Sequence, residues 1–370
     1  MPKAKETVLE IDLKALKHNF EYIKSKLNRN TKILAVVKAF AYGNDLGTIA
    51  VYLEALKVDY FAVAYVNEGV ALRDAGVKTP ILVLHPQTVN FKLIIERCLE
   101  PSLYTPKILN EFIAIAREKK QNNYPVHIKF NTGLNRLGFE RTDIDYIISK
   151  TSKTTAIKVK SLFSHLAASE DLNEQEFTKQ QIKRFKAIAA VCSKSLGYKP
   201  ILHLTNTSGI LNFPEAHLDM VRTGIGLYGY GNSAEEDSNL KPVAVLKSVI
   251  SQIRTIDDGA TVGYNRAYKS KGLTQIATIP IGHADGISRQ YGNKKAHVTV
   301  NGKNAAIVGN VCMDMIMIDV TTINCKEGDE VIIFGDHQNA AQFANATNTI
   351  SYEVITAISQ RVRRVIMNDL

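Results

Sequence analysis

No run of about 18 uninterrupted apolar residues occurs anywhere in the chain, so no membrane-spanning helix is expected. Its beginning, MPKAKETVLEIDL, holds no apolar segment long enough for the h-region of a signal peptide, which argues against export. Cysteine is scarce. Cys98, Cys192, Cys312 and Cys325 are widely spaced and form no CxxC pair, which speaks against a disulfide framework or a zinc site. Reduced thiols, a cytoplasmic setting and no bound metal are therefore expected. Clustered charge is missing too: the formal net charge is +10, but the lysines and arginines are scattered rather than gathered in one stripe. Neither nucleic acid nor a membrane is an expected partner, and the basic surface suits small anionic ligands.

What is present is the composition of an ordinary soluble globular protein, 45% hydrophobic and 22% charged. At 370 residues, two domains are expected, each with its own core. Between residues 32 and 229 eight short apolar, β-branched runs follow one another: KILAVVKA, YFAVAYV, PILVLH, EPSLY, PVHIKFN, IKVKSLFSHL, PILHLTNT and MVRTGIGLYG. Helical or polar stretches separate most of them, among them the amphipathic NEQEFTKQQIKRFKAIAAVCSKSLG, which ends in a helix-stopping glycine. Eight strands joined by helices make the pattern of a (β/α)8 TIM-type barrel, of α/β class.

That pattern breaks at YGNSAEEDSNLKP, residues 230–242, which reads as a domain boundary. The expected domains are a barrel over 1–236, whose first strand at about 7–12 pairs instead with the other domain, and a mainly antiparallel β domain over 237–370. Within the latter, AHVTV, NAAIVG, MIMIDV and DEVIIFG alternate with short turns, and Asn301-Gly302 is a type I′ hairpin signal. A closing helix is expected around TISYEVITAISQRVRRVI. No internal repeat is visible.

Working residues of such a barrel belong where strands end and loops begin. Lys38 follows the first barrel run, Arg136 the fifth, His165 the sixth and Asn206 with Thr207 the seventh, while Arg222, Gly224 and Gly226 lie in the eighth. A lysine entering a pocket from an apolar strand suits Schiff-base chemistry when desolvation lowers its pKa; read alone, it serves equally as a rim lysine with its amine in water. The glycines of RTGIGLYG and the hydroxyls of NTSG sit where barrels commonly bind phosphate, though such glycines also simply permit tight turns. Tyr264 lies in the second domain, and spacing alone ties it to nothing.

These segments resemble those of a known family over most of the chain, from about residue 8 to the C-terminus. AVVKAFAYGND, KFNTGLNRLGF, VRTGIGLYG, PIGHADG, GNVCMDM and TISYEV are similar, in order, to segments of the fold-type III, pyridoxal phosphate-dependent alanine racemases. The resemblance implies a cytoplasmic homodimer of barrel plus β domain with active sites shared across the interface, interconverting L- and D-alanine, the latter for peptidoglycan. It implies that Lys38 carries the cofactor and is one base, with Tyr264 of the partner subunit as the other. It further implies that Arg222 donates to the pyridine nitrogen and His165 bonds Arg222. Tyr42, Asn206, Thr207, Gly224, Ile225 and Tyr352 would hold the cofactor, mostly at its phosphate. Arg136 and Met313 would meet the substrate carboxylate, and Lys129 would carry a carbamate.

Three residues depart from the family pattern. Asn131 stands where an aspartate is usual, Thr207 replaces a serine but keeps the hydroxyl, and His283 replaces the tyrosine of a gate segment, which puts a titratable imidazole at the channel mouth. Two readings compete within the fold, a serine or broad-specificity racemase and a diamino-acid decarboxylase using Cys312 as proton donor. A third, from another class, is a pyridoxal phosphate-binding homeostasis protein without racemase activity; such proteins resemble the barrel alone, whereas this chain continues into a β domain bearing Tyr264 and the CMD of residues 312–314.

Overall fold

The first strand, β1 (Val8–Asp12), stands outside the barrel, and each of the eight apolar runs then forms one barrel strand. These are β2 (Lys32–Val36), β3 (Tyr60–Val63), β4 (Ile81–Val83), β5 (Glu100–Leu103), β6 (Tyr124–Lys129), β7 (Ile157–Phe163), β8 (Ile201–His203) and β9 (Met220–Thr223). All neighbours are parallel, and β2 closes the cylinder on β9 in the register Lys32↔Met220 to Ala35↔Thr223. The computed structural model describes residues 4–367; positions 1–3 and 368–370, at the outer ends of the two expected domains, lie outside the described residues.

The helices that cover the barrel form for local reasons. Helix Pro106–Glu118 starts with proline in its first turn and the Thr105 hydroxyl accepting from the Ile108 N–H. The long helix Gln175–Leu196 turns Ile182, Phe185, Ile188, Ala189 and Cys192 inward and ends at Gly197, whose φ of 74° terminates it.

The remaining strands are β10 (Ala244–Val249), β11 (Gln252–Ile256), β12 (Thr261–Val262), β13 (Tyr268–Lys269), β14 (Thr274–Ile279), β15 (His297–Val300), β16 (Lys303–Val308), β17 (Ile316–Asp319), β18 (Glu330–Phe334) and β19 (Arg363–Met367). Apart from the β12–β13 ribbon they form one sheet with β1, in the order β11-β14-β17-β16-β15-β18-β10-β1-β19. It is antiparallel except at the edge, where β1 and β19 run parallel. Between β15 and β16, Asn301 and Gly302 have φ of 47° and 75°, the two left-handed positions of a type I′ turn.

One expectation is corrected here. The closing helix read over TISYEVITAISQRVRRVI covers only Ser351–Thr356, and the end of the segment is β19. The reason is visible at Arg364, whose guanidinium donates to the carbonyls of Ile358, Ser359 and Val362 after the helix and to those of Gly43 and Asn44. Carbonyls held by a side chain leave no reason to continue a helix, and the β-branched Val365 and Ile366 go on in extended form beside β1.

The chain divides into two compact units. Tyr42–Asp45 and Lys241–Leu370, together with Met1–Leu16, make the sheet unit; Lys17–Ala41 and Leu46–Leu240 make the barrel unit. Within the sheet unit Gly43 has φ of 84°, and a Cβ there would overlap the Ile355 carbonyl oxygen. Gly197 has a similar φ of 74° but open space around it. Gly43→Ala should therefore cost more than about 2 kcal/mol, and Gly197→Ala only about 1 kcal/mol. Urea unfolding of the two variants checks this, and equal losses would remove the steric argument.

Candidate active site

At the ends of the barrel strands a group of cations gathers around one imidazole. His165 is half-buried and held far below its usual pKa by desolvation first, then by Arg222, Arg136, Lys129 and Lys38 in turn. It is neutral, and its Nδ1 accepts from Arg222 Nη2 at 3.0 Å. Arg222 is only 4% exposed, yet its donors have partners: Nη1 reaches His203 Nδ1 at 2.9 Å, and Nη2 also reaches the carbonyls of Ser164 (2.7 Å) and Leu204 (2.9 Å). Its guanidinium lies 5.5 Å from the centre of the Phe163 ring, which also stacks on His203. Phe163 thus supports both Arg222 and its acceptor.

Lys38 lies two residues past β2 and starts a turn of uncommon hand: Ala39, Phe40, Ala41 and Tyr42 all have φ between 53° and 55°. Left-handed backbone costs roughly 1–2 kcal/mol per residue with a side chain, and such strain gathers at functional sites. Within the barrel unit Glu68 secures the start of this turn. Its Oε1 accepts from the Ala39 N–H at 2.5 Å, and its Oε2 accepts from the N–H groups of Ala64 (2.7 Å) and Tyr65 (3.0 Å). Sequence reading passed over Glu68, although three residues after Tyr65 it stands at the capping-box position. The Lys38 amine is pulled below its usual value by burial and by the Arg136 charge, while Glu68 acts in the opposite sense. Lys129, on β6 and 8% exposed, is pulled down to about 8 by burial, then by Arg136, Arg222 and Lys38. Arg136 is exposed in the loop after β6 and adds its charge to all three neighbours.

After β8 and β9 the chain offers N–H groups and hydroxyls. Asn206 caps the short helix Thr207–Asn212, its Oδ1 accepting from the Gly209 N–H and from Ser169 Oγ. The Thr207 hydroxyl oxygen accepts from the Gly226 N–H at 3.3 Å and lies as far from Thr223 Oγ1. A Cβ on Gly226 would press to 2.6 Å from the Thr207 methyl, so glycine is required for this approach. Gly224 and Ile225 lead into the turn Ile225–Tyr228.

The other candidates belong to the sheet unit. Tyr42 and Tyr352 face each other with ring centres 6.1 Å apart, and burial raises the Tyr42 phenol. Tyr264 is 74% exposed; its carbonyl accepts from Asn310 Nδ2, and Asn265 beside it has φ of 60°. Cys312 and Met313 pair through their carbonyls with the N–H groups of His283 and Ala284, which sets the gate segment against the CMD segment. Met313 is 58% exposed. Burial raises the Cys312 thiol, and its Sγ–H points to the Asn310 carbonyl. Asn131, where an aspartate is usual, accepts from the Gly133 and Asn135 N–H groups and donates to Glu140. All four cysteines are free, and among the described residues no group of His, Cys, Asp and Glu could hold a metal.

Comparison with known proteins matches residues 11–232 to the family "Alanine racemase, N-terminal domain" and residues 243–366 to "Alanine racemase, C-terminal domain". The alanine racemase of Thermodesulfovibrio yellowstonii is 38% identical over 364 residues, covering 96% of both chains. That of Sorangium cellulosum is 35% identical over 374 residues, covering 97% of this chain and 98% of the relative. Among solved structures, alanine racemase of Clostridium difficile superimposes with a TM-score of 0.93 at 34% identity, covering 100% of this chain and 97% of that one. The alanine racemase of Bartonella henselae, solved with covalently bound pyridoxal phosphate, gives 0.89 at 29% identity over 98% of this chain and 100% of its own.

Because Arg136 lowers and Glu68 raises the Lys38 amine, the two should move its titration in opposite directions. In cofactor-free enzyme the pH dependence of Lys38 acylation, followed by peptide mass spectrometry, is expected to shift upward in Arg136→Gln and downward in Glu68→Gln. Shifts of the same sign would show that altered packing, not charge, governs the amine.

Proposed function

The chain belongs to the alanine racemase family, and from that premise we infer the roles of its residues in an enzyme that interconverts L- and D-alanine. It is an isomerase, a pyridoxal phosphate-dependent amino-acid racemase. The serine-racemase, decarboxylase and cofactor-homeostasis readings are not favoured, since family similarity runs through both units. Among the described residues no helix is long and apolar enough to cross a membrane. The free cysteines suit a reducing compartment, and our reading makes the enzyme cytoplasmic, supplying D-alanine for peptidoglycan.

The observation that carries the assignment of roles is Lys38, an amine with a lowered pKa held among Arg136, Lys129, His165 and Arg222. That donor set fits the cofactor: a neutral amine for its aldehyde, cations for its phenolate and phosphate, and N–H and hydroxyl groups after β8 and β9. In this reading Tyr42, Asn206, Thr207, Gly224, Ile225 and Tyr352 serve the phosphate region, Asn206 indirectly by capping. Arg222 faces the pyridine nitrogen and His165 bears on Arg222. A permanently charged donor there keeps that nitrogen unprotonated, which restrains the carbanion and disfavours side reactions.

Bound, the cofactor acts as an electron sink for the pair of electrons left when the substrate Cα–H breaks. The chain supplies the proton traffic. A single rigid base serves both faces of a carbon poorly, and two opposed bases overcome this. Lys38 Nζ exchanges the proton on one face and Tyr264 of the partner subunit exchanges it on the other. Exposure of Tyr264 and Met313 supports a homodimer with shared sites, since both would gain cover from a second copy. Arg136 and the N–H of Met313 of the partner subunit meet the substrate carboxylate; within each chain the Met313 carbonyl is already engaged by Ala284. His283 at the channel mouth widens or shifts substrate range without changing the chemistry.

Borohydride reduction of the holoenzyme is expected to trap the cofactor on the peptide containing Lys38. Lys38→Ala should lose activity by at least on the order of 10³-fold, and Tyr264→Phe by about 10²-fold or more. Mixing these two inactive variants under subunit exchange should restore part of the activity, because one site of the mixed dimer then has both bases. No recovery despite demonstrated exchange would overturn the shared site, and a cofactor adduct elsewhere would overturn Lys38.

Lys129, with its pKa near 8, is partly neutral at working pH, as addition of carbon dioxide requires. We read it as carbamylated, giving an anion that positions Arg136. A carbamate carbon signal from enzyme grown with labelled bicarbonate, absent in Lys129→Arg, is expected; its absence from the parent enzyme would refute the modification.

A further inference from the structure

Beyond its bond to His165, Arg222 begins a second line of hydrogen bonds that runs across consecutive barrel strands. Nη1 lies 2.9 Å from His203 Nδ1 on β8; His203 Nε2 lies 2.9 Å from Ser161 Oγ on β7; Ser161 Oγ lies 2.6 Å from His127 Nδ1 on β6; and His127 Nε2 lies 2.6 Å from Glu100 Oε2 on β5. His127, Ser161 and His203 are fully buried. The interior of such a barrel is ordinarily filled by branched apolar side chains, so this polar file needs an explanation. Tyr60 on β3 also bonds Glu100.

The direction of the line follows from elementary chemistry. A guanidinium has donors only, so His203 Nδ1 must present a lone pair to it. A histidine that accepts at Nδ1 carries its proton at Nε2 and donates it to Ser161. The Ser161 hydroxyl has its own proton left to give, and His127 Nδ1, 2.6 Å away, is its acceptor when His127 carries its proton at Nε2. His127 in that tautomer donates from Nε2 to Glu100 Oε2, and Glu100 accepts from Tyr60 as well. The reverse direction would leave His203 accepting at both nitrogens with no ring proton, which a neutral imidazole does not allow.

We propose that Glu100 and His127 are positioning residues for Arg222, acting through Ser161 and His203 along a one-way hydrogen-bond line that the guanidinium starts by making His203 Nδ1 an acceptor. Each link is polarised by the next, so the carboxylate at the far end strengthens the acceptor that Arg222 meets. The line ends on the carboxyl group of Glu100, and it fixes the plane of the guanidinium. The consequence for catalysis rests on the reading that Arg222 faces the cofactor ring nitrogen, whereas the line itself does not.

The test has two arms that separate these claims. Nitrogen-15 NMR of enzyme labelled in histidine, with and without cofactor, is expected to show His203 and His127 as neutral Nε2–H tautomers; signals are assigned by His203→Gln and His127→Gln. An Nδ1–H or doubly protonated His203 would overturn the line. Glu100→Gln keeps an acceptor oxygen for His127 while removing the charge. It is expected to lower kcat by about tenfold, shift the absorbance of the bound cofactor and leave KM for alanine within about twofold. Parent-like kcat and absorbance, or a drop in thermal stability alone, would overturn the positioning role. Arg222→Lys with undisturbed kinetics would instead sink the reading of Arg222 and leave the tautomer result standing.

Discussion

A guanidinium buried beside another cation is tolerable only where acceptors surround it, and Arg222 finds four of them through Nη1 and Nη2 inside the barrel. Much of the rest depends on it. Two of its acceptors are imidazoles that must stay neutral with Nδ1 free, and two are carbonyls just past β7 and β8, whose strand ends it ties together. The neutral state of His165 and His203 is reinforced by burial and by the same positive field that lowers Lys38 and Lys129. One buried charge thus fixes two tautomers and two strand ends and lowers the Lys129 amine as well.

The field acts on both amines of the site, Lys38 and Lys129. Desolvation disfavours the charged form of an amine, and a neighbouring guanidinium adds to that by like-charge repulsion. The left-handed turn after Lys38 belongs to the same design. Its strain is held by Glu68 within the barrel unit and, in the sheet unit, by the Arg364 grip on the carbonyls of Gly43 and Asn44. A carboxylate that secures backbone N–H groups also tempers the amine it supports.

Legibility followed the type of signal. Parallel barrel strands buried on both faces read as apolar runs, and all eight were visible, as was the glycine that ends the helix Gln175–Leu196. The segment RVRRVI was not legible: alternating arginines and β-branched residues fit either period, and only the carbonyl grip of Arg364 and the free edge of β1 decide for a strand. Lys38, Arg136, His165 and Arg222 stood out because they end barrel strands. Glu68, Phe163 and Glu100 did not, because a capping carboxylate, a ring under a guanidinium and a buried acid look ordinary until their neighbours are known.

The chain of residues by itself determined the barrel, the change to alternating strands after residue 242, the hairpin at Asn301-Gly302 and the family to which these segments point. Those features are set by local periodicity, turn chemistry and motif order, which need no partners. The tertiary structure decided what proximity alone can decide: that four cations share one imidazole, that β1 completes the sheet of the far end of the chain, and that Glu100 reaches Arg222 through three intervening side chains. Electrostatic shifts and hydrogen-bond direction fall off within a few ångströms, so they belong to residues distant in sequence and adjacent only after folding.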